Sequence, residues 1–271
     1  MQEDVANPCA GRASFTPASL ESPSLFRRGA SDTPAPAAYE IKFLLMEELA
    51  REVEARLKGR LSLDSHADAT LGGAYRTTSL YTDTSDHLVF RRIGEYGNTK
   101  FRIRRYGSAG PVFLERKDKT GDKVHKTRVS VPAFDLAVLA GDRGRDTWAG
   151  QWFHGEIAGR RLAPVCRITY DRIAYLGSAD GSAVRVTFDR MVRGEPSATW
   201  NVEPVAVESE LYPHQVICEF KYRLSLPRLF KEVIESLGLH PTPCSKYRRF
   251  IATAGLASSA VGSANGAAAD V

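Results

Sequence analysis

Long apolar runs are missing from this chain. Nothing in it approaches the roughly eighteen consecutive apolar residues that a membrane-spanning helix needs, so no segment is expected to cross a bilayer. Cysteine is sparse as well. Cys9, Cys166, Cys218 and Cys244 are scattered, with no CxxC and no pairing with histidine, which argues against a zinc site or a disulfide framework and for reduced thiols. The six histidines show no metal-ligand spacing. A basic start followed by an apolar core is also lacking, since the chain opens Met1-Gln2-Glu3-Asp4, and a cytoplasmic location is expected. Large charge asymmetry is absent too. Lys plus Arg number 37 against 32 for Asp plus Glu, a net charge of +5 that is no polybasic tail. Nucleic acid is not expected as a partner, because aromatic residues are not interleaved with the charged ones for base stacking.

What the sequence does have is a recurring strand pattern. Residues 1–37 are rich in Pro, Ala and Ser and read as a flexible leader; residues 257–271 form an Ala/Ser/Gly tail, leaving 38–256 as the folded unit. Within it, short runs carry charged residues two apart with mostly apolar residues between. They are Tyr39–Phe43, Thr99–Arg104, Val112–Lys117, Val124–Val131, Ile168–Arg172, Val184–Asp189 and Ile217–Lys221, with Tyr75–Asp83 an eighth candidate strand. Strand side chains alternate between faces, so each charged pair shares one face. Helices are expected over Leu44–Leu57, Phe134–Leu139, Asp146–Ile157 and Arg228–Leu237, the last set between Pro227 and Gly238, with a terminal helix capped by Ser245.

Apolar/charged alternation in a single strand ordinarily means a solvated charged face. Two features favour the opposite arrangement here. The charged face is biased to Arg and Lys, and several strands pair Glu with Lys at the same spacing. Helices with apolar stripes are also available to cover an apolar outer face. The fold expected is therefore mainly β (α+β), a closed antiparallel β-barrel tunnel of about eight strands with flanking helices.

In order along the chain, the segments EIK, RIR, ERK, HKTR, YDR, VRVTFD, CEFKYR and SKY resemble the VTC (vacuolar transporter chaperone) polyphosphate polymerase domain, a member of the triphosphate tunnel metalloenzyme superfamily. The resemblance spans about residues 39–250. It implies that Lys42, Arg102, Arg104, Lys117, Arg172, Arg185 and Lys246 are basic tunnel residues acting in catalysis. Lys126, Arg128 and Lys221 would be their companions, and Tyr170 and Ser245 would donate hydrogen bonds to phosphate. Glu219 would be the principal ligand of Mn²⁺ or Mg²⁺, helped by Glu40 and Glu115. The wider superfamily begins ExExK; here Ala38 stands at the first Glu position, which favours the VTC branch and one metal ion. The activity implied is metal-dependent synthesis of polyphosphate from ATP. A tripolyphosphatase or nucleoside triphosphatase on the same barrel, or a non-catalytic module binding polyphosphate or inositol phosphates, are the alternatives. Members of the family that export polyphosphate carry membrane segments, so a separate membrane partner is compatible with this chain.

Overall fold

A computed structural model describes residues 38–256 apart from 122, 142–146 and 208. Residues 1–37, expected to be a leader, and 257–271, expected to be a tail, lie outside the described residues, as does Cys9. In chain order the elements are β1 (Tyr39–Met46), α1 (Glu47–Leu57), β2 (Ser62–Leu63), β3 (Tyr75–Asp83), α2 (Leu88–Arg91), β4 (Thr99–Tyr106), β5 (Val112–Thr120) and β6 (Lys123–Val131). Then come α3 (Gln151–Gly159), β7 (Ala163–Ala179), β8 (Ser182–Pro196), β9 (Gln215–Tyr222), α4 (Arg228–Ser236) and α5 (Lys246–Thr253).

The described strands form one antiparallel sheet in the order β1-β9-β8-β7-β3-β4-β5-β6, with the two-residue β2 pairing β7 at the side. All eight expected strands are present; β2 makes a ninth. The long β7–β8 hairpin turns at Asp180-Gly181, both at positive φ (49° and 71°), the mirror-image turn whose twist matches that of its strands. Strand β8 carries one extra residue opposite Tyr170, a bulge at which Met191 takes φ 50°.

The expected closure is corrected in part. Among the described residues, the two ends of the sheet, β1 and β6, meet at a single antiparallel bridge between Ala38, just before β1, and Val124, and no continuous ladder joins them. The sheet is nevertheless strongly rolled. Lys117 on β5 reaches Glu40 on β1 at 2.7 Å, although five strands separate them in sheet order.

Helices cover the convex, apolar face. Ala50, Val53 and Leu57 of α1 and Phe230 and Val233 of α4 pack with Phe43, Val186, Phe188 and Phe220. Helix α3 brings Phe153 and Ile157 against Phe101, Ile103 and Leu114. Three helix assignments change. Leu44–Met46 continue β1, so α1 begins only at Glu47, because Phe43 and Leu45 share the buried parity of the strand. The helix expected over Asp146–Ile157 runs from Gln151 to Gly159, and the one over Phe134–Leu139 is a 3-10 helix, Ala133–Ala140.

Candidate functional site

Strand register puts the charged positions on one face. Lys42 stands opposite Glu219, Glu40 opposite Lys221, and Lys221 opposite Arg185. Arg172 pairs with Asp189 and with Tyr75, Ser79 with Arg104, Arg102 with Glu115, and Glu115 with Arg128. This is the face away from the helical cover, and the roll of the sheet makes it concave.

Carboxylates pin the cations in place. Glu115, with 0% of its surface exposed, takes Arg102 at 2.7 Å, Arg128 at 3.9 Å and Lys126. Glu40 holds Lys117 at 2.7 Å and Lys221 at 2.9 Å; Glu219 holds Lys221 at 3.0 Å and Lys42 at 3.3 Å. Arg185 donates to Asp64 at 3.0 Å and to the Tyr75 hydroxyl at 2.9 Å. Arg172 forks onto Asp189 at 2.5 and 2.7 Å, and the first residue of α5, Lys246, reaches the same carboxylate at 2.5 Å. The Ser245 hydroxyl caps α5 by accepting from the Arg248 N–H at 3.5 Å. That leaves its own proton free to be donated.

Sequence reasoning passed over three residues of this face. Asp189 and Asp64 are buried carboxylates that orient cations rather than add to them. Asp189 has the same parity as Arg185, which was the available signal; Asp64 sits outside any charged strand run and gave none. Lys100 shares the parity of Arg102 and Arg104 on β4.

Not every polar group on this face is satisfied. Arg104 is 5% exposed, and its one protein hydrogen bond among the described residues runs from Nε to the Ser79 hydroxyl at 3.1 Å. It has no carboxylate partner there. The Tyr170 hydroxyl, on a residue 1% exposed, has no hydrogen-bond partner among the described residues, and neither do those of Thr77 and Thr187. Arg172 and Lys246 lie over the Tyr170 ring, at 5.2 and 4.3 Å from its centroid. Buried polar groups are nearly always paired, so a cation and three hydroxyls left open on one face suit an anionic ligand.

Electrostatics follow from the crowding. Burial disfavours the Glu219 carboxylate, but Lys221, Lys42 and Lys117 outweigh it and hold its pKa well below the usual range. For Glu40, burial and the Glu219 charge oppose ionisation, yet Lys221 and Lys117 draw it down to about 2. Burial also pushes Lys126 down to about 7 and Lys117 to about 8, in each case past a glutamate that pulls the other way. Tyr106 is buried, which should raise it; Arg104, Lys126 and Arg128 instead bring it to about 7.

Glu219, Glu40 and Glu115 do not gather into one carboxylate cluster. Among the described residues, no group of three or more His, Cys, Asp or Glu is placed to hold a metal ion. Glu115 is committed to its own three cations and shares none with the other two. Glu40 and Glu219 are neighbours that share Lys221, both ionised. Two carboxylates, with phosphate and water supplying the remaining oxygens, are an ordinary donor set for Mg²⁺, so this pair fits such an ion.

The family described as VTC domain matches residues 37–254. The chain belongs to that family. No curated protein matches it. Solved structures similar to this VTC domain include an adenylate cyclase candidate from Bacillus halodurans, at 10% identity and TM-score 0.47, over 78% of this chain and 94% of that one. A protein from Pyrococcus horikoshii matches at 12% identity and TM-score 0.43, over 80% and 99%. An adenylyl cyclase candidate from Hippeastrum with a dominant triphosphatase activity matches at 12% and 0.44, over 81% and 96%. Likenesses this distant carry no functional argument. No described helix of the VTC domain is long and apolar enough to cross a membrane.

Proposed function

We propose that this VTC domain transfers phosphoryl groups on a polyphosphate chain seated along the concave face, and that it makes polyphosphate from ATP. The observation that carries this reading is the guanidinium fork of Arg104, buried near the Tyr170 hydroxyl and making no ion pair among the described residues, although the Glu115 charge lies within its reach. A desolvated fork of this kind takes two phosphate oxygens at once, which a water-filled surface patch does not require.

Phosphoryl transfer depends on positioning and charge neutralisation more than on covalent chemistry by the protein. Arg102, Arg104 and Arg128 line one side of the seat, and Lys42, Lys117 and Lys221 the other. Asp189 holds Arg172 and Lys246 toward the same chain, and Arg185 anchors its far end against Asp64. Tyr170 and Ser245 donate hydroxyl protons to phosphate oxygens. Glu219 and Glu40 would hold Mn²⁺ or Mg²⁺, whose charge would neutralise phosphate oxygens of the bound chain. No side chain acts as a nucleophile. The concave face of the rolled sheet positions the end of a growing polyphosphate as acceptor.

The test is incubation of purified protein with ATP and either Mn²⁺ or Mg²⁺. Long-chain product resolved on a gel supports the polymerase. Release of phosphate alone means that water is the acceptor and the enzyme is a hydrolase. Tight polyphosphate binding with neither product reduces the protein to a binding module.

A further inference from the structure

Three lysines stand in one row across neighbouring strands. Lys100 on β4 faces Lys117 on β5, and Lys117 faces Lys126 on β6. Adjacent strands lie about 4.8 Å apart, and like charges directly opposite one another are destabilising. Two residues along the same strands the row reads Arg102–Glu115–Arg128, with an acid at its centre. The lysine row has none.

Lys126 and Lys117 are relieved by Glu115 and Glu40 from other rows. Lys100 has no ion pair among the described residues. The charges that act on it most strongly are all cations: Lys42 from β1, Lys117 from β5, Arg92 just after α2, and Arg248 from α5; the nearby Glu40 is taken up by Lys117 and Lys221. Arg92 also has no ion pair among the described residues and is exposed; Arg248 donates to the Phe90 carbonyl and lies over the Phe90 ring at 4.8 Å. Burial and these neighbours push Lys100 down to about 7. Apart from Arg104, the cations of the central seat are held by carboxylates, whereas Lys100 and Arg92 at this end have no ion pair among the described residues.

We infer that Lys100, Arg92 and Arg248 form a second phosphate-binding station beside α2 and α5, which takes units of a polyanion extending beyond the central seat. This rests on the central seat proposed above and goes beyond it. It makes the protein selective for long chains over a triphosphate, because only a long chain reaches both places. An inorganic polyphosphate satisfies the station better than a nucleotide tail, since every unit carries the same charge and no base has to be housed.

The test is calorimetric titration of the purified protein, with EDTA present, by tripolyphosphate and by long-chain polyphosphate. Lys100→Gln and Arg92→Gln are each expected to weaken the long chain about fivefold, the equivalent of one charged contact, and to leave tripolyphosphate within about twofold. Lys100→Arg keeps the charge and should keep long-chain affinity. Ligand-free Lys100→Gln should melt at the wild-type temperature or above it, because a repelled charge has gone. An unchanged long-chain affinity in both glutamine variants overturns the station. So does an equal loss for both ligands, which would place Lys100 in the central seat, and so does a lower melting temperature. If the wild type binds neither anion, the central seat itself is wrong and the station falls with it.

Discussion

Asp189 illustrates at the residue scale how a carboxylate serves a polyanion site without touching the anion. It is 2% exposed and carries both Arg172 and Lys246, whose charges draw its pKa below the usual range in spite of burial. Asp189→Asn leaves two cations without their partner, and breaking a buried pair from one side costs about 3–5 kcal/mol. The expected outcome is a marked fall in melting temperature and a loss of turnover that substrate excess does not restore. Arg104→Lys tests the opposite kind of residue, one whose partner is the ligand. Lysine supplies the charge but not the fork, so turnover should fall at least tenfold, about 1.4 kcal/mol of transition-state stabilisation, with the melting temperature nearly unchanged. Turnover equal to wild type at saturating ATP would sink the tunnel reading. Glu219→Gln separates metal binding from anion binding. Lys42 and Lys221 lose a counter-charge, so polyphosphate should bind at least as well while metal-dependent turnover disappears; near-normal turnover would place the metal elsewhere.

Among the elements, α5 is the one whose placement decides whether the site is complete, and a glycine decides the placement. A Cβ on Gly194 of β8 would come within 2.7 Å of Phe250 Cδ2 and 3.2 Å of Leu211 Cδ1. Phe250 belongs to α5, whose first residue is Lys246. Gly194→Ala is expected to push the helix outward, at about 1–3 kcal/mol of overpacking, and to lower turnover by displacing Lys246 from Asp189. A smaller side chain in Phe250→Leu should return part of both losses, and failure of the double variant to recover would count against this route. The strands around α5 were legible because a charged residue at every second position survives in sequence as a period of two. The start of α1 was not, because Leu45 fits both the strand alternation with Phe43 and the helical spacing with Leu49 and Val53. β2 is too short to show a period. Glu115 was legible as an acid on the right face but not in its role. Which glutamates share a cation depends on how far the sheet rolls, and single-strand patterns hold no information about Lys117 meeting Glu40. Tyr170 was recognisable only by resemblance, since the bulge that aims it lies on the partner strand.

At the scale of the whole molecule, a net charge of +5 on 271 residues says little; its concentration on one face says more. The same crowding sets a pH dependence. Lys100 and Lys126 are pushed to about 7, and Tyr106, against its burial, is drawn to about 7 by Arg104, Lys126 and Arg128. As pH rises through 7, the two lysines lose positive charge and the tyrosine gains negative charge, so all three changes weaken an anion's hold. Stability moves the other way. A lysine whose folded pKa lies below its unfolded value of 10.5 destabilises fully below about 7, and the penalty fades as pH climbs toward 10.5. A tyrosine drawn from 10 to about 7 adds stability over the same interval. The ligand-free protein should therefore melt higher at pH 8.5 than at pH 6.5, while polyanion affinity falls between those values. Phosphates titrate in this range and would mask the effect, so the measurement uses a polysulfonate, whose charge is fixed, with EDTA to remove divalent ions. An affinity that stays flat or rises from pH 6.5 to 8.5 would show that these groups do not face the bound anion, and that the positive face is an ordinary solvated surface.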